Sequence, residues 1–250
     1  MRKSDEVDIL VIGGGPAGST AASMAARSGL SVKVCERSKF PREHVGESLL
    51  PASIAILEEL GLKEAISNAG FLPKYGATMV WGKDETPWSW RFSETNKQNI
   101  HSYQVSRPIF DEILLKRSAE LGVVVEEESL VGKIITGDSN RGAVVINNNG
   151  QEYFQPAKFI VDASGQSALL ARNLKLRQWD ENFQNLAVYG YFTGAKKLPV
   201  PDENNIFIES YENGWIWIIP LHGGITSVGA VVDSNESTVE LLKIDPITFL

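Results

Sequence analysis

"DILVIGGGPAGSTAASMAARSGLSVKVCE", residues 8 to 36, decides the fold. With Val7 it opens on a run to Ile12, apolar apart from Asp8, which reads as a buried parallel strand. The fingerprint Gly13, Gly15, Pro16, Ala17, Gly18 follows in Gly-x-Gly-x-x-Gly spacing. Residues 16 to 28 read as a helix, with Ala21, Ala22, Ala25 and Ala26 as a small packing face and Gly29 as its stop. "SVKVCE" is a second strand. In such a strand–loop–helix, the first glycine allows the tight turn and the second lets backbone approach a pyrophosphate. The third lets the helix pack close to the sheet. The helix N-terminus turns unpaired N–H groups and a positive dipole end toward the phosphates. Glu36 closes the second strand eighteen residues beyond Gly18, where a carboxylate accepts hydrogen bonds from ribose hydroxyls, and Arg37 follows it. This unit binds a dinucleotide. A glutamate at the ribose suits FAD or NAD and repels a 2′-phosphate.

Outward from this unit, residues 51 to 60 read as a helix that starts on proline and closes at Gly61. Residues 75 to 82 and 88 to 92 read as strands, and residues 108 to 121 as an amphipathic helix. "GVVVEE" returns as a strand, "SLVGKIIT" and "AVVINNNG" form a meander, and "KFIVDASG" is a strand ending in a turn. Residues 185 to 233 are strand-rich. The fold class is α/β: a Rossmann-like open parallel sheet with helices, plus an antiparallel sheet layer. One domain is expected over residues 1–180, with inserted strands, and the start of a second over 181–250.

The 250 residues carry a formal net charge of -7 and no basic stripe, so nucleic acid is not an expected partner. The single cysteine, Cys35, excludes an intrachain disulfide framework and fits a reducing cytoplasm. His44, His101 and His222 share no ligand spacing, so no metal is expected. No apolar stretch is long enough for a membrane-spanning helix. In "GWIWIIP", residues 214 to 220, Trp215 and Trp217 fall on one strand face as a flat indole wall, while Ile216 and Ile218 face the other way. Each buried indole N–H needs a partner, which makes paired tryptophans awkward core filling.

Several stretches carry a family resemblance. "IVDASGQSALLAR" and "SRPIFDEILLKRSAELGVVV" resemble segments of the FAD-dependent aromatic hydroxylase superfamily. The resemblance implies that Asp162 and Gly165 close a second loop near the flavin, with Arg172 at the family's spacing. It also implies that Arg107 opens a helix beside the ribityl–phosphate part of FAD. "FPREHVGESLLP" resembles the Gly46-Glu47-Ser48 segment of FAD-dependent halogenases that act on phenols and pyrroles. Read from the residues alone, Glu47 and Ser48 also suit capping of the helix near Pro51. In "FLPKYGATMVWG", Lys74 stands where the halogenases have their catalytic lysine. "GWIWIIP" is similar to their W-x-W-x-I-P motif at Trp215, Trp217, Ile219 and Pro220.

The resemblance implies FAD used as FADH₂. With O₂ and halide it gives hypohalous acid, which Lys74 relays to an electron-rich aromatic, a phenol or pyrrole, free or tethered to a carrier protein. It implies a separate flavin reductase as partner, since no second nucleotide fingerprint is present. The tryptophan wall would keep the organic ring from the oxygen-activating flavin. An FAD-dependent monooxygenase, a geranylgeranyl-reductase-like oxidoreductase and a non-catalytic FAD-binding fragment are the alternatives. The superfamily's later Gly-Asp segment is not found before Leu250, so the chain is expected to be an N-terminal half, and "VELLKIDPITFL" to be the middle of a longer element.

Overall fold

The computed structural model describes residues 2–137, 140–180, 183–212 and 214–233. The end stretch expected to lie inside a longer element, and the last part of the expected second domain, fall outside these residues. In chain order the elements begin β1 (Arg2–Lys3), β2 (Val7–Ile12), α1 (Pro16–Arg27), β3 (Val32–Cys35), α2 (Ala52–Glu59) and α3 (Lys63–Asn68). They continue with β4 (Leu72–Lys74), β5 (Gly76–Val80), β6 (Trp88–Arg91), α4 (Phe92–Thr95), β7 (Ser102–Gln104), α5 (Arg107–Glu120) and β8 (Val124–Glu126). The rest are β9 (Leu130–Ile135), β10 (Gly142–Ile146), β11 (Glu152–Asp162), α6 (Leu169–Asn173), β12 (Asn185–Thr193), β13 (Ile206–Tyr211), β14 (Gly214–Pro220) and β15 (Ile225–Asp233).

These elements form two compact units that no single cut separates. One takes residues 1–44, 60–65 and 107–178; the other takes 45–59, 66–106 and 179–250. A division at residue 180 therefore leaves out of the second unit two stretches that belong to it.

The sheet of the first unit runs β8-β3-β2-β11-β10-β9, with β1 beside β11. Strands β8, β3, β2 and β11 are parallel, and β11, β10 and β9 are antiparallel. Both faces are covered, which is why "ILVI", residues 9 to 12, is apolar throughout rather than alternating. On one face Leu10, Ile12 and Cys35 pack with Val131, Ile134, Val145 and Ala157. On the other, Val11, Val32 and Val34 pack with Ala22 of α1 and Leu115 of α5. Each large apolar side chain so buried contributes roughly 1.5–3 kcal/mol.

β11 is longer than the strand expected from "KFIVDASG", because its two halves have different partners. Residues 152–156 pair antiparallel with β10, and residues 157–162 pair parallel with β2. Pro156, which has no N–H to donate, falls at the changeover.

The second unit is built on a sheet in the order β12-β15-β14-β13-β5-β6. All its pairs are antiparallel except β13 with β5. This layer therefore draws two strands from before residue 100, because β13 offers an edge that β5 can pair with in parallel. A short ribbon, β4 with β7, completes the unit. Among the described residues no helix is long and apolar enough to cross a membrane.

Candidate functional site

In the first unit the glycine loop is built as its spacing requires. Gly13 has φ +100°, and a Cβ there would lie 2.5 Å from the Ala163 carbonyl oxygen. A Cβ on Gly18 would lie 1.9 Å from the Gly13 carbonyl oxygen. Both positions exclude any side chain. Gly15 differs: a Cβ there would meet only Nη2 of Arg42, at 3.2 Å. Gly15 is also the N-cap of α1, carries no capping side chain, and is followed by Pro16 at the first helical position. Ala17 is exposed in the first turn. The loop is thus a shallow, open cradle at a helix N-terminus.

Glu36 is buried and preorganised. Its Oε2 accepts from Gly14 N at 2.6 Å and its Oε1 from Ser38 N at 2.8 Å. Each oxygen keeps acceptor capacity for a ribose hydroxyl. Arg37, next to it, is exposed. The Asp162 turn comes to the same loop. Asp162 pairs with Ile12 across the sheet, and Ala163 N donates to Ile12 O. The Asp162 carboxylate accepts from Ser164 N at 3.0 Å and from Leu170 N at 2.7 Å, which fixes the turn into Gly165, at φ +62°. Arg172 is exposed on α6.

Arg107 opens α5, but its guanidinium forms a two-pronged pair with Asp111, at 2.8 and 2.9 Å. Arg42 Nη1 lies 3.1 Å from the same carboxylate without hydrogen-bond alignment, and the guanidinium lies over the Phe40 ring. The sequence reading missed Arg42 and Asp111. Asp111 is fully buried and holds two arginines, one of them beside Gly15. An arginine directly after a Phe-Pro pair carried no periodic signal.

Gly46, Glu47 and Ser48, expected at the cofactor, fall in the second unit. Gly46 has φ +102°. Glu47 is buried; its carboxylate accepts from Gly46 N at 2.9 Å and from the Tyr191 hydroxyl at 3.1 Å. Ser48 Oγ accepts from Lys74 Nζ at 2.5 Å. Neither side chain caps α2: in its first turn Ser53 N and Ile54 N donate to the carbonyls of Leu50 and Pro51. The capping reading is corrected by the nearby lysine, a stronger partner for the serine than a helix N–H.

Lys74 is 2% exposed, at the end of β4. Its Nζ lies 5.3 Å from the centroid of Phe92, and among the described residues no carboxylate pairs with it. Burial pulls the amine down to about 8, because an ammonium in a dry site lacks its hydration.

The tryptophan pair lies on one face of β14, as the period of two demands. The rings are tilted by 49° with centroids 5.8 Å apart, so the wall is not flat. The tilt follows from the neighbours. The Trp217 indole lies over Gly229, where a Cβ would come within 2.2 Å of the ring, and its Nε1 donates to Ser227 Oγ at 3.1 Å. Tyr189 stacks on Trp217 at 6.5 Å and meets Tyr191 edge-on at 6.1 Å. These tyrosines extend the wall and were missed, although 189 and 191 are also two apart. Ile219 shares the tryptophan face and is core. Pro220 lies on the opposite face, where with Ile218, Phe207 and Thr226 it lines a cavity of about 350 Å³. Among the described residues no three metal-ligating side chains come together.

The tryptophan halogenase family profile matches residues 8–101 and 95–240. A flavin-dependent halogenase of Armillaria mellea is 40% identical over 239 residues, covering 92% of this chain and 47% of its own length. A 1H-pyrrole-2-carbonyl-(peptidyl-carrier protein) chlorinase of Pseudomonas fluorescens is 34% identical, over 93% of this chain and 57% of its own. The solved structure of the myxobacterial chondrochloren halogenase, a variant of FAD-dependent halogenases, superposes with a TM-score of 0.90. It is 40% identical and covers 97% of this chain and 56% of that one. The chain thus spans about half the length of the relatives it matches. By sequence and by fold, the chain belongs to the tryptophan halogenase family of flavin-dependent halogenases.

Proposed function

We propose that this chain carries the FAD-binding and halogen-transferring residues of an FADH₂-dependent halogenase of an electron-rich aromatic, a phenol or pyrrole, free or carried on a protein. The carrying observation is Lys74: a nearly fully buried amine, paired with no carboxylate among the described residues and drawn toward neutrality by burial. The residues of the first unit fit the cofactor. The Gly15 cradle offers backbone to a pyrophosphate, with Arg42 beside it as counter-charge. Both oxygens of Glu36 are already aimed by backbone N–H groups and retain capacity for ribose hydroxyls. Bound in reduced form, FAD supplies the O₂-dependent oxidation of halide to hypohalous acid.

The chain's own residues then control that acid. Lys74 as ammonium donates a hydrogen bond and polarises the O–halogen bond. As neutral amine it takes the halogen: a new N–halogen bond forms, the O–halogen bond breaks, and hydroxide leaves as water with one amine proton. The aromatic ring next takes the halogen and gives up a ring proton, which restores the amine. Trp215, Trp217 and Tyr189 form a packed aromatic panel that blocks bulky rings from their face. A flavin reductase supplies the reduced cofactor. The phenol or pyrrole assignment rests on the Gly46-Glu47-Ser48 segment and on the pyrrole chlorinase among the relatives.

The test is mass spectrometry of products from FAD, a flavin reductase, NADH, air, bromide and a panel of phenols and pyrroles. It is run with this chain, with any longer chain in the same reading frame, and with Lys74→Ala versions of both. The expected outcome is a bromine isotope doublet that disappears in the alanine versions. A hydroxylated product indifferent to bromide and to Lys74 would instead assign a monooxygenase.

A further inference from the structure

The lysine's surroundings are more specific than burial alone. On the ribbon, Lys74 stands opposite Ser102 and Leu72 opposite Gln104. The other edge of β7 pairs with residues 47–49: Leu49 N donates to Tyr103 O, Val105 N donates to Glu47 O, and Ser48 bridges to Gln104. Residues opposite one another in an antiparallel pair share a face. Lys74, Ser102, Gln104 and Ser48 therefore lie on one face of a three-strand ribbon. To reach Ser48 Oγ, the Lys74 side chain must cross β7. It does so although Ser102 Oγ and Gln104 Oε1, both on fully buried residues along that crossing, have no hydrogen-bond partner among the described residues. Gln104 is itself fixed, since its Nε2 donates to Asn204 O at 2.9 Å.

We propose that Ser48 is the positioning residue for Lys74, holding the amine by one N–H so that its other valences stay aimed at the reacting halogen. The inference rests on the reading of Lys74 as the halogen-carrying amine, and it names what aims that amine. The chemistry calls for one such anchor. A neutral amine has two N–H bonds and a lone pair. When the lone pair takes the halogen and one proton leaves with hydroxide as water, a single N–H remains. Ser48 can hold that N–H throughout, which leaves the N–halogen bond in a fixed direction. The water formed in the step meets two unpartnered buried polar atoms, Ser102 Oγ and Gln104 Oε1, whose satisfaction by a small polar molecule is what buried polar groups require.

Other titratable groups near the amine are turned elsewhere. Glu47 is engaged with Gly46 N and Tyr191, and Glu94 accepts from Arg91 N. Arg91 lies 3.6 Å from Asp202. His101 and Tyr103 are on the alternate face of the ribbon. Ser48 is thus the anchor whose removal the amine should register.

The test is an NMR titration of the chain labelled with ε-¹³C lysine, with the Lys74 signal assigned by its loss in Lys74→Ala. Ser48→Ala removes an acceptor from the charged form, so the Lys74 midpoint should fall by about one unit. Ser48→Thr should restore it, and Ser48→Cys, a weaker acceptor, should fall between. An unchanged midpoint in both Ser48→Ala and Ser48→Cys overturns the inference, whatever the enzyme's activity. Continued halogenation by Lys74→Ala overturns the functional reading instead, and leaves any midpoint shift standing.

Discussion

At the scale of the residue, Lys74 places function against stability. Its folded value of about 8 lies below the ordinary 10.5, so the unfolded chain binds this proton more tightly than the folded one. Stability from this group is therefore withheld below about pH 8 and recovered as pH rises toward 10.5. Lys74→Met removes the buried charge and should stabilise the chain by about 1–3 kcal/mol at pH 7, once the lost bond to Ser48 is set against the relief. The gain should shrink at pH 10; urea denaturation at the two pH values measures it. The same variant should transfer no halogen. Lys74 was legible in the sequence only through the resemblance around it, since one of fourteen lysines has no signal of its own. Ser102 and Gln104 were not legible at all, because their proximity to Lys74 comes from strand pairing across roughly 30 residues.

At the scale of the element, the first strand, glycine loop and helix were readable almost to the residue, because their constraints are local. The glycines also divide by role in a way that substitution can expose. Gly18→Ala drives a methyl into the Gly13 carbonyl and should destabilise by roughly 1–3 kcal/mol or more. Gly15→Ala meets only the movable end of Arg42, so it should fold as the parent does while losing pyrophosphate affinity. Thermal melts and an FAD-binding titration, read side by side, separate the two. β11 was less legible. Where it changes partner depends on β10 and β2, far apart in sequence. The tilt of the tryptophan wall depended likewise on Gly229 and Ser227, more than ten residues from Trp215.

At the scale of the whole molecule, composition and motif order conveyed the fold class but not the interleaving of the two units. A parallel pair between β5 and β13 has no local turn to announce it. The interleaving predicts how the chain responds to truncation. A chain ending at residue 178 keeps every strand of the first sheet but leaves β5 and β6 as a lone pair, stripped of β12 to β15. Two-stranded pairs are marginal in water. The shortened chain should retain parallel-sheet circular dichroism yet bind a hydrophobic dye and associate in sedimentation. The central place of β11 also has a consequence for synthesis. Val7 pairs beside Ala157, 150 positions later. At about 5–20 residues per second, the nascent β2 waits on the order of 10–30 s on the ribosome before that neighbour is made. Through that interval an apolar strand has one side unzipped, and a chaperone that shields it co-translationally would govern how much of the protein a cell obtains.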